Sequence, residues 1–156
     1  FQLPKPFSSM TVLENLCIPL EYATSKRTTM AERRDEGMGI LELIGLADKA
    51  HEHSGSLTQI DMRKLELARA MAAKPDLLIS DEAMAGLSGV EVDEILGRLF
   101  ALNERGVGVI MIEHVMKAVM QFSQRIVVLD AGKKIAEGTP DEIVSNPLVE
   151  KAYLGE

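Results

Sequence analysis

Two adjacent carboxylates, Asp81 and Glu82, close the apolar run Leu77-Leu78-Ile79, and Glu113-His114 closes a second apolar run that ends at Ile112. Asp130 closes a third, Ile126 to Leu129. Neighbouring residues on a strand project to opposite sides, so Asp81 and Glu82 do not form a pair sharing one proton. They can divide labour instead, one facing a metal ion and the other a water. A plainer use is open as well: Asp81 caps a turn, Glu82 stands in solvent and His114 precedes a helix. Histidine ligation of a metal is disfavoured, because no second histidine or cysteine lies at ligand spacing and His51 and His53 sit far upstream in a polar loop.

Those residues matter only if the chain brings them to one rim, which is a question about the elements that carry them. Leu77-Leu78-Ile79 shows no alternation and lies between Pro75 and the acidic pair, the pattern of a strand buried on both faces. A helix over about Val90 to Glu104, a strand Val109 to Ile112, a helix Val115 to Phe122 and a strand Ile126 to Leu129 follow. Strand alternating with helix predicts a parallel sheet, and ligands of such sheets bind beyond the carboxyl ends of the strands. Asp130-Ala131-Gly132-Lys133 reads as a turn into a short strand, Lys134 to Ala136, forming an antiparallel hairpin. Thr139 then caps a helix that Pro140 opens and that runs through Ser145.

Upstream, Thr11 with Glu14 three residues later has the form of a capping box ahead of Val12, Leu13, Leu16 and Leu20. Met38, Leu41, Ile44 and Leu46, spaced by three, three and two, mark one face of a second helix closed by Gly45. Thr58 and Asp61 start a third, which Lys74-Pro75 ends. His51 to Gly55 reads as a loop.

Composition narrows the classes. With 156 residues, a formal charge of −7 and no dense lysine or arginine cluster, the chain has the size of one domain or part of one and no electrostatic footprint for nucleic acid. No apolar run reaches the ~20 residues of a membrane-spanning helix. Cys17 is the single cysteine, so no internal disulfide forms, and no basic-then-apolar leader opens the sequence. A cytoplasmic location is the expectation, and the start at Phe1 reads as a piece of a longer chain.

Five elements in this order and spacing carry a resemblance: Gln2; Leu57-Thr58-Gln59-Ile60-Asp61 running into Arg63 to Ala70; Leu77 to Glu82; Ala85-Gly86-Leu87-Ser88; and Ile112-Glu113-His114. Together they resemble the ATP-binding subunit of ABC transporters across nearly the whole chain. Met84 to Leu87, Glu113 to Met116 and the ending Ala152-Tyr153-Leu154-Gly155 are similar to the subunits that power branched-chain amino-acid importers. The resemblance implies an α/β fold, a P-loop NTPase-like parallel sheet with flanking helices and an α-helical subdomain. It divides the chain into residues 1–73, holding the Q-loop, helical subdomain and signature helix, and residues 74–156, the carboxyl half of the RecA-like catalytic core with a hairpin and helices.

By that resemblance Asp81 holds Mg²⁺, Glu82 is the general base that polarises the attacking water, and His114 contacts the γ-phosphate of ATP. Gln2 reaches metal and water. Hard carboxylate oxygens suit both the ion and the water. Leu57, Thr58, Gln59, Ile60 and Asp61 take the signature position, which acts in trans on nucleotide held by a second ATP-binding subunit. A helix beginning at Thr58 points unpaired N–H groups and a positive dipole end outward, a seat for phosphate whatever its name. Ala85, Gly86, Leu87 and Ser88 form the D-loop.

The chain departs from the family pattern in stated places. Ile60 replaces a glycine and restricts backbone approach to phosphate. Asp61 replaces a glutamine; its charge either repels phosphate or is taken up by the Thr58 cap. Ala83 stands where proline commonly follows the glutamate, and Ser88 where aspartate commonly ends the D-loop. No G-x-x-x-x-G-K-[ST] occurs, since Gly132-Lys133 has Val127 at the first glycine position and Lys134 in place of the hydroxyl. Alone, the chain is therefore expected to bind ATP poorly.

The function implied is energising uptake of branched-chain amino acids or related small solutes. The partners implied are a second ATP-binding subunit and integral-membrane permease subunits, at the inner face of the membrane. The alternatives are a non-hydrolytic docking or regulatory piece and an ABC-type ATPase of another transport system. DNA-repair and chromosome ATPases are disfavoured by the acidic charge and by the lack of sustained heptads between Gln2 and Leu57.

Overall fold

The computed structural model describes residues 5–23 and 28–154. Gln2 lies outside them. The described chain divides into two compact units, residues 1–112 and 113–156; the division read at 73/74 falls inside the first.

Local chemistry sets the helix boundaries of the first unit. α1 (Val12–Tyr22) starts at Thr11, whose hydroxyl accepts from the Glu14 N–H while the Glu14 carboxylate accepts from the Thr11 N–H at 2.8 Å. α2 (Met30–Ile44) begins the same way at Thr29 with Glu32, earlier than its apolar face suggested, and stops at Gly45 with φ 72°. That left-handed end suits glycine, and a side chain there would also meet Arg98. α3 (Gln59–Ala72) follows after two short 3-10 turns, Ala47–Lys49 before the stretch read as loop and Ser54–Ser56 at its end.

The three helices pack on one another around Leu16, Leu20, Leu41, Ile44 and Leu65, all essentially inaccessible. Burying each such side chain contributes about 2 kcal/mol. Gly37 admits the close approach of α1, since a Cβ there would lie 2.9 Å from the Leu13 side chain. Asn15, fully buried, knits the leading segment to this core: its amide accepts from the Phe7 N–H at 2.8 Å and donates to Thr11 and Ser54.

β1 (Leu77–Asp81), α4 (Gly89–Glu104) and β2 (Gly108–Ile112) complete the unit, with β1 and β2 parallel and Asp81 opposite Ile112. Buried Leu78 and Ser80 point to one face. On the other, Leu77, Ile79, Ile110 and Ile112 are each about half exposed, with values of 48–52%. The expectation of a strand buried on both faces is thus corrected: within its own unit only one face of the pair is covered, which the apolar run could not reveal.

The second unit holds α5 (Met116–Phe122), β3 (Ile126–Asp130), β4 (Lys133–Gly138), α6 (Pro140–Val144) and α7 (Pro147–Leu154). The antiparallel hairpin expected after β3 is observed: among the described residues β3 pairs with β4. Ala131 and Gly132 take φ 45° and 78°, the two left-handed positions of a tight hairpin turn, which folds β4 straight back along β3 as the turn sequence predicted. Ile126, Ala136 and Ile143 form the core of this unit, flanked by Val119, Met120, Val128 and Val149. Thr139 caps α6 through a full box with Glu142, with Pro140 at its first turn.

Candidate functional site

At the carboxyl end of β1 the backbone breaks sharply. Asp81 is half-buried and completes the register with Ile112; Glu82 then takes φ 49°, a left-handed conformation that costs a non-glycine residue about 1–2 kcal/mol. Three features hold it there. The Glu82 N–H donates to the Ile112 carbonyl at 2.8 Å, the Glu82 carbonyl accepts from the Ala85 N–H at 3.3 Å, and Ala83 and Met84 beneath are buried. The consequence is an exposed Glu82 carboxylate one residue beyond a half-buried Asp81. The site residue carrying strain is the one expected to act on water.

Residues 85–88 continue this turn. Gly86 has φ 78°, and a Cβ on it would sit 2.9 Å from the Gln59 amide nitrogen. Gln59 donates to the Ala85 carbonyl at 3.4 Å. The turn after β1 and the start of α3 are therefore joined within one unit. Ser88 closes the turn by capping α4, its hydroxyl and N–H both bonded to Glu91. Ala83, at the position where the family pattern has proline, is wholly buried.

The start of α3 is built from Thr58 and Asp61. Thr58 Oγ1 accepts from the Asp61 N–H and donates to Asp61 Oδ2 at 2.6 Å. The cap reading of Asp61 is the one observed. The shorter aspartate does not return a bond to the Thr58 N–H as the glutamates of α1, α2, α4 and α6 do at their caps. Lys49 also bonds Asp61 Oδ2, and Lys64 lies 3.8 Å from Oδ1. Burial would raise the Asp61 pKa, but the bonds from Lys49 and Thr58 outweigh it and hold the carboxyl below its usual range. The Lys49 ammonium is held above its usual value by the same bond to Asp61. Leu57 and Ile60 are half-buried, whereas Thr58 and Gln59 are exposed.

Lys64 extends the pairing to Glu94 of α4 at 2.6 Å, and Arg98 lies 3.9 Å from Glu94 while donating to the Leu43 carbonyl at the end of α2. Sequence reasoning did not single out Lys49, Lys64, Glu94 or Arg98. The three later residues are at helical spacings of three and four, but Lys49 belongs to a separate turn and no local pattern pointed to it.

His114 is exposed in the second unit, two residues along the chain from the end of β2. Gln2 lies outside the described residues. Among the described residues no group of three histidine, cysteine, aspartate or glutamate side chains could hold a metal unaided. A Mg²⁺ that keeps water and phosphate ligands requires only one or two carboxylates, and Asp81 fits that part.

A family model described as ABC transporter matches residues 1–85, and one described as branched-chain amino acid ATP-binding cassette transporter matches residues 133–156. The high-affinity branched-chain amino acid transport ATP-binding protein LivG of Escherichia coli (strain K12) is 38% identical over 171 residues. That alignment covers 100% of this chain and 66% of LivG, so the chain spans just under two thirds of the relative's length. Among solved structures, the ADP conformation of an ATP-binding cassette of an ABC transporter superposes with a TM-score of 0.85 at 29% identity, covering 100% of this chain and 67% of that one. A dimeric post-hydrolysis cassette bound to ADP and Pi gives 0.81 at 25% identity, covering 90% and 61%. With the carboxylates ending a parallel strand, the capped helix that Gln59 ties to the following turn, and these matches, the chain belongs to the ABC transporter family, among its ATP-binding cassettes.

Proposed function

We propose that this chain is the carboxyl part of an ATP-hydrolysing subunit that energises import of branched-chain amino acids or related small solutes. The observation that carries the reading is the left-handed Glu82, lifted into solvent directly after Asp81. Glu82 accepts a hydrogen bond from water, orients it for in-line attack on the γ-phosphate of ATP and takes up its proton. Asp81 contributes an oxygen, directly or through water, to Mg²⁺, which when bound neutralises developing phosphate charge. His114 donates to a γ-phosphate oxygen, and Gln2 reaches metal and water.

Thr58 and the first N–H groups of α3 face nucleotide held by a second ATP-binding subunit, with Leu57, Gln59, Ile60 and Asp61 shaping that turn. Ala85 to Ser88 form the facing D-loop. The phosphate cradle comes from sequence outside these 156 residues, in the portion by which the longer relatives exceed the chain. Integral-membrane permease subunits receive the motion through the helical region Phe7 to Ala47, at the inner face of the membrane. No described helix is long and apolar enough to cross a membrane itself, and the reading requires none.

The absence of a G-x-x-x-x-G-K-[ST] sequence favours a second reading, a docking or regulatory piece without hydrolysis. One experiment separates the two: join the corresponding upstream segment of LivG to this chain and measure Mg-ATP hydrolysis with Glu82 and with Glu82→Gln. Hydrolysis that falls at least about a hundredfold on substitution, while nucleotide still binds, supports the catalytic reading. Equal inactivity of both proteins favours docking.

A further inference from the structure

Asp61 places a carboxylate beside the helix end that, on the reading above, must accept a phosphate from across a dimer. Left alone, that charge opposes the ligand. The structure supplies an answer in Lys49, at the end of a 3-10 turn twelve residues upstream. Its ammonium bonds Asp61 Oδ2, the same oxygen that receives the Thr58 hydroxyl proton. Lys64 contributes less, because its ammonium sits 2.6 Å from Glu94 and 3.8 Å from Asp61 Oδ1.

Geometry adds a second consequence. The Thr58 hydroxyl has one proton, and in the closed cap it goes to Asp61 Oδ2. Lys49 competes for that oxygen, so the more fully it engages the carboxylate, the less is lost when Thr58 turns its proton outward to an anion. The side chain of Asp61 is 8% exposed and that of Lys49 29%, so the interaction is weakly screened on the aspartate side and open to solvent on the other.

We propose that Lys49 is a positioning residue for the phosphate seat of α3: by neutralising Asp61 and drawing on the oxygen that holds Thr58, it makes the helix start receptive to a nucleotide phosphate. The inference rests on the ATPase reading and adds to it a residue outside the signature turn.

The two charges make opposite predictions, which a merely structural pair would not. In the chain joined to the LivG upstream segment, Lys49→Met leaves Asp61 with only the more distant Lys64, itself shared with Glu94, and raises the KM for Mg-ATP about five- to tenfold, with a smaller change in kcat. Lys49→Arg restores KM to within about twofold. Asp61→Asn, which removes the charge and keeps a capping side chain, lowers KM about twofold or more, and the double variant Lys49→Met/Asp61→Asn returns toward the parent value. Thermal unfolding of each variant shows that it is folded. If Lys49→Met does not fold, Asp61→Asn and the double variant carry the comparison. An unchanged KM in Lys49→Met, an unchanged or raised KM in Asp61→Asn, or a double variant no better than Lys49→Met overturns the inference while leaving the ATPase reading intact. Absence of hydrolysis in the parent protein removes the reading and the inference together.

Discussion

Helices α3 and α4 start within the same unit and use the same device in two ways. At Ser88 the box is complete and exposed: Glu91 reaches back to the Ser88 N–H and hydroxyl at 2.7 Å each, and the two residues satisfy one another. At Thr58 the partner is an aspartate, one methylene shorter, buried, and bound to a lysine from another turn. The first arrangement only begins a helix. The second begins a helix, fixes it to the preceding turn and leaves the Thr58 N–H without a returned bond. A single methylene separates a self-contained cap from one wired into tertiary structure.

Substitution at the two starts should break that contrast most visibly. Asp61→Ala removes the buried acceptor of the Thr58 hydroxyl and leaves Lys49 without its partner; since that lysine keeps some water, a stability loss of about 2 kcal/mol is expected by denaturant unfolding of this chain. Ser88→Ala removes a cap alone and should cost about 1 kcal/mol. Equal losses would mean that the Lys49 contact adds nothing to the cap.

The smallest signal lies in pH. Asp61 has a lowered pKa in the folded chain, so its stabilisation is present above the unfolded aspartate value near pH 4 and is lost as pH falls through the lower folded value. Lys49 is raised, so its share persists up to the unfolded lysine value near pH 10 and is lost above that. Between those limits the pair contributes fully. Unfolding midpoints of Asp61→Asn followed from pH 5 to pH 2 should fall less steeply than those of the parent; parallel curves would place the acid sensitivity elsewhere.

Much of this was legible before any coordinates. Thr11, Thr58 and Thr139 caps, Gly45 as a helix end and the Asp130 to Lys133 turn depend on side chains reaching two to four residues, so spacing reveals them. The unit Leu77 to Ile79 followed by two carboxylates marked the strand and its end. Pairing was harder to read. The hairpin partner of β3 follows from the turn after Asp130, whereas nothing in Ile126 to Leu129 itself names a partner. Nor does an apolar run state whether its second face is covered, as the half-exposed Ile79 and Ile112 show.

By itself the order of residues determined where helices start and stop, which strand ends in carboxylates, and that a phosphate loop is not among these 156 residues, because each of these is a matter of short-range chemistry. Tertiary structure decided the rest: the left-handed backbone that exposes Glu82, the bond from Gln59 to the turn after β1, and the capture of Asp61 by Lys49. Those depend on which distant backbone or charge lies within about 3 Å, a distance only folding brings about.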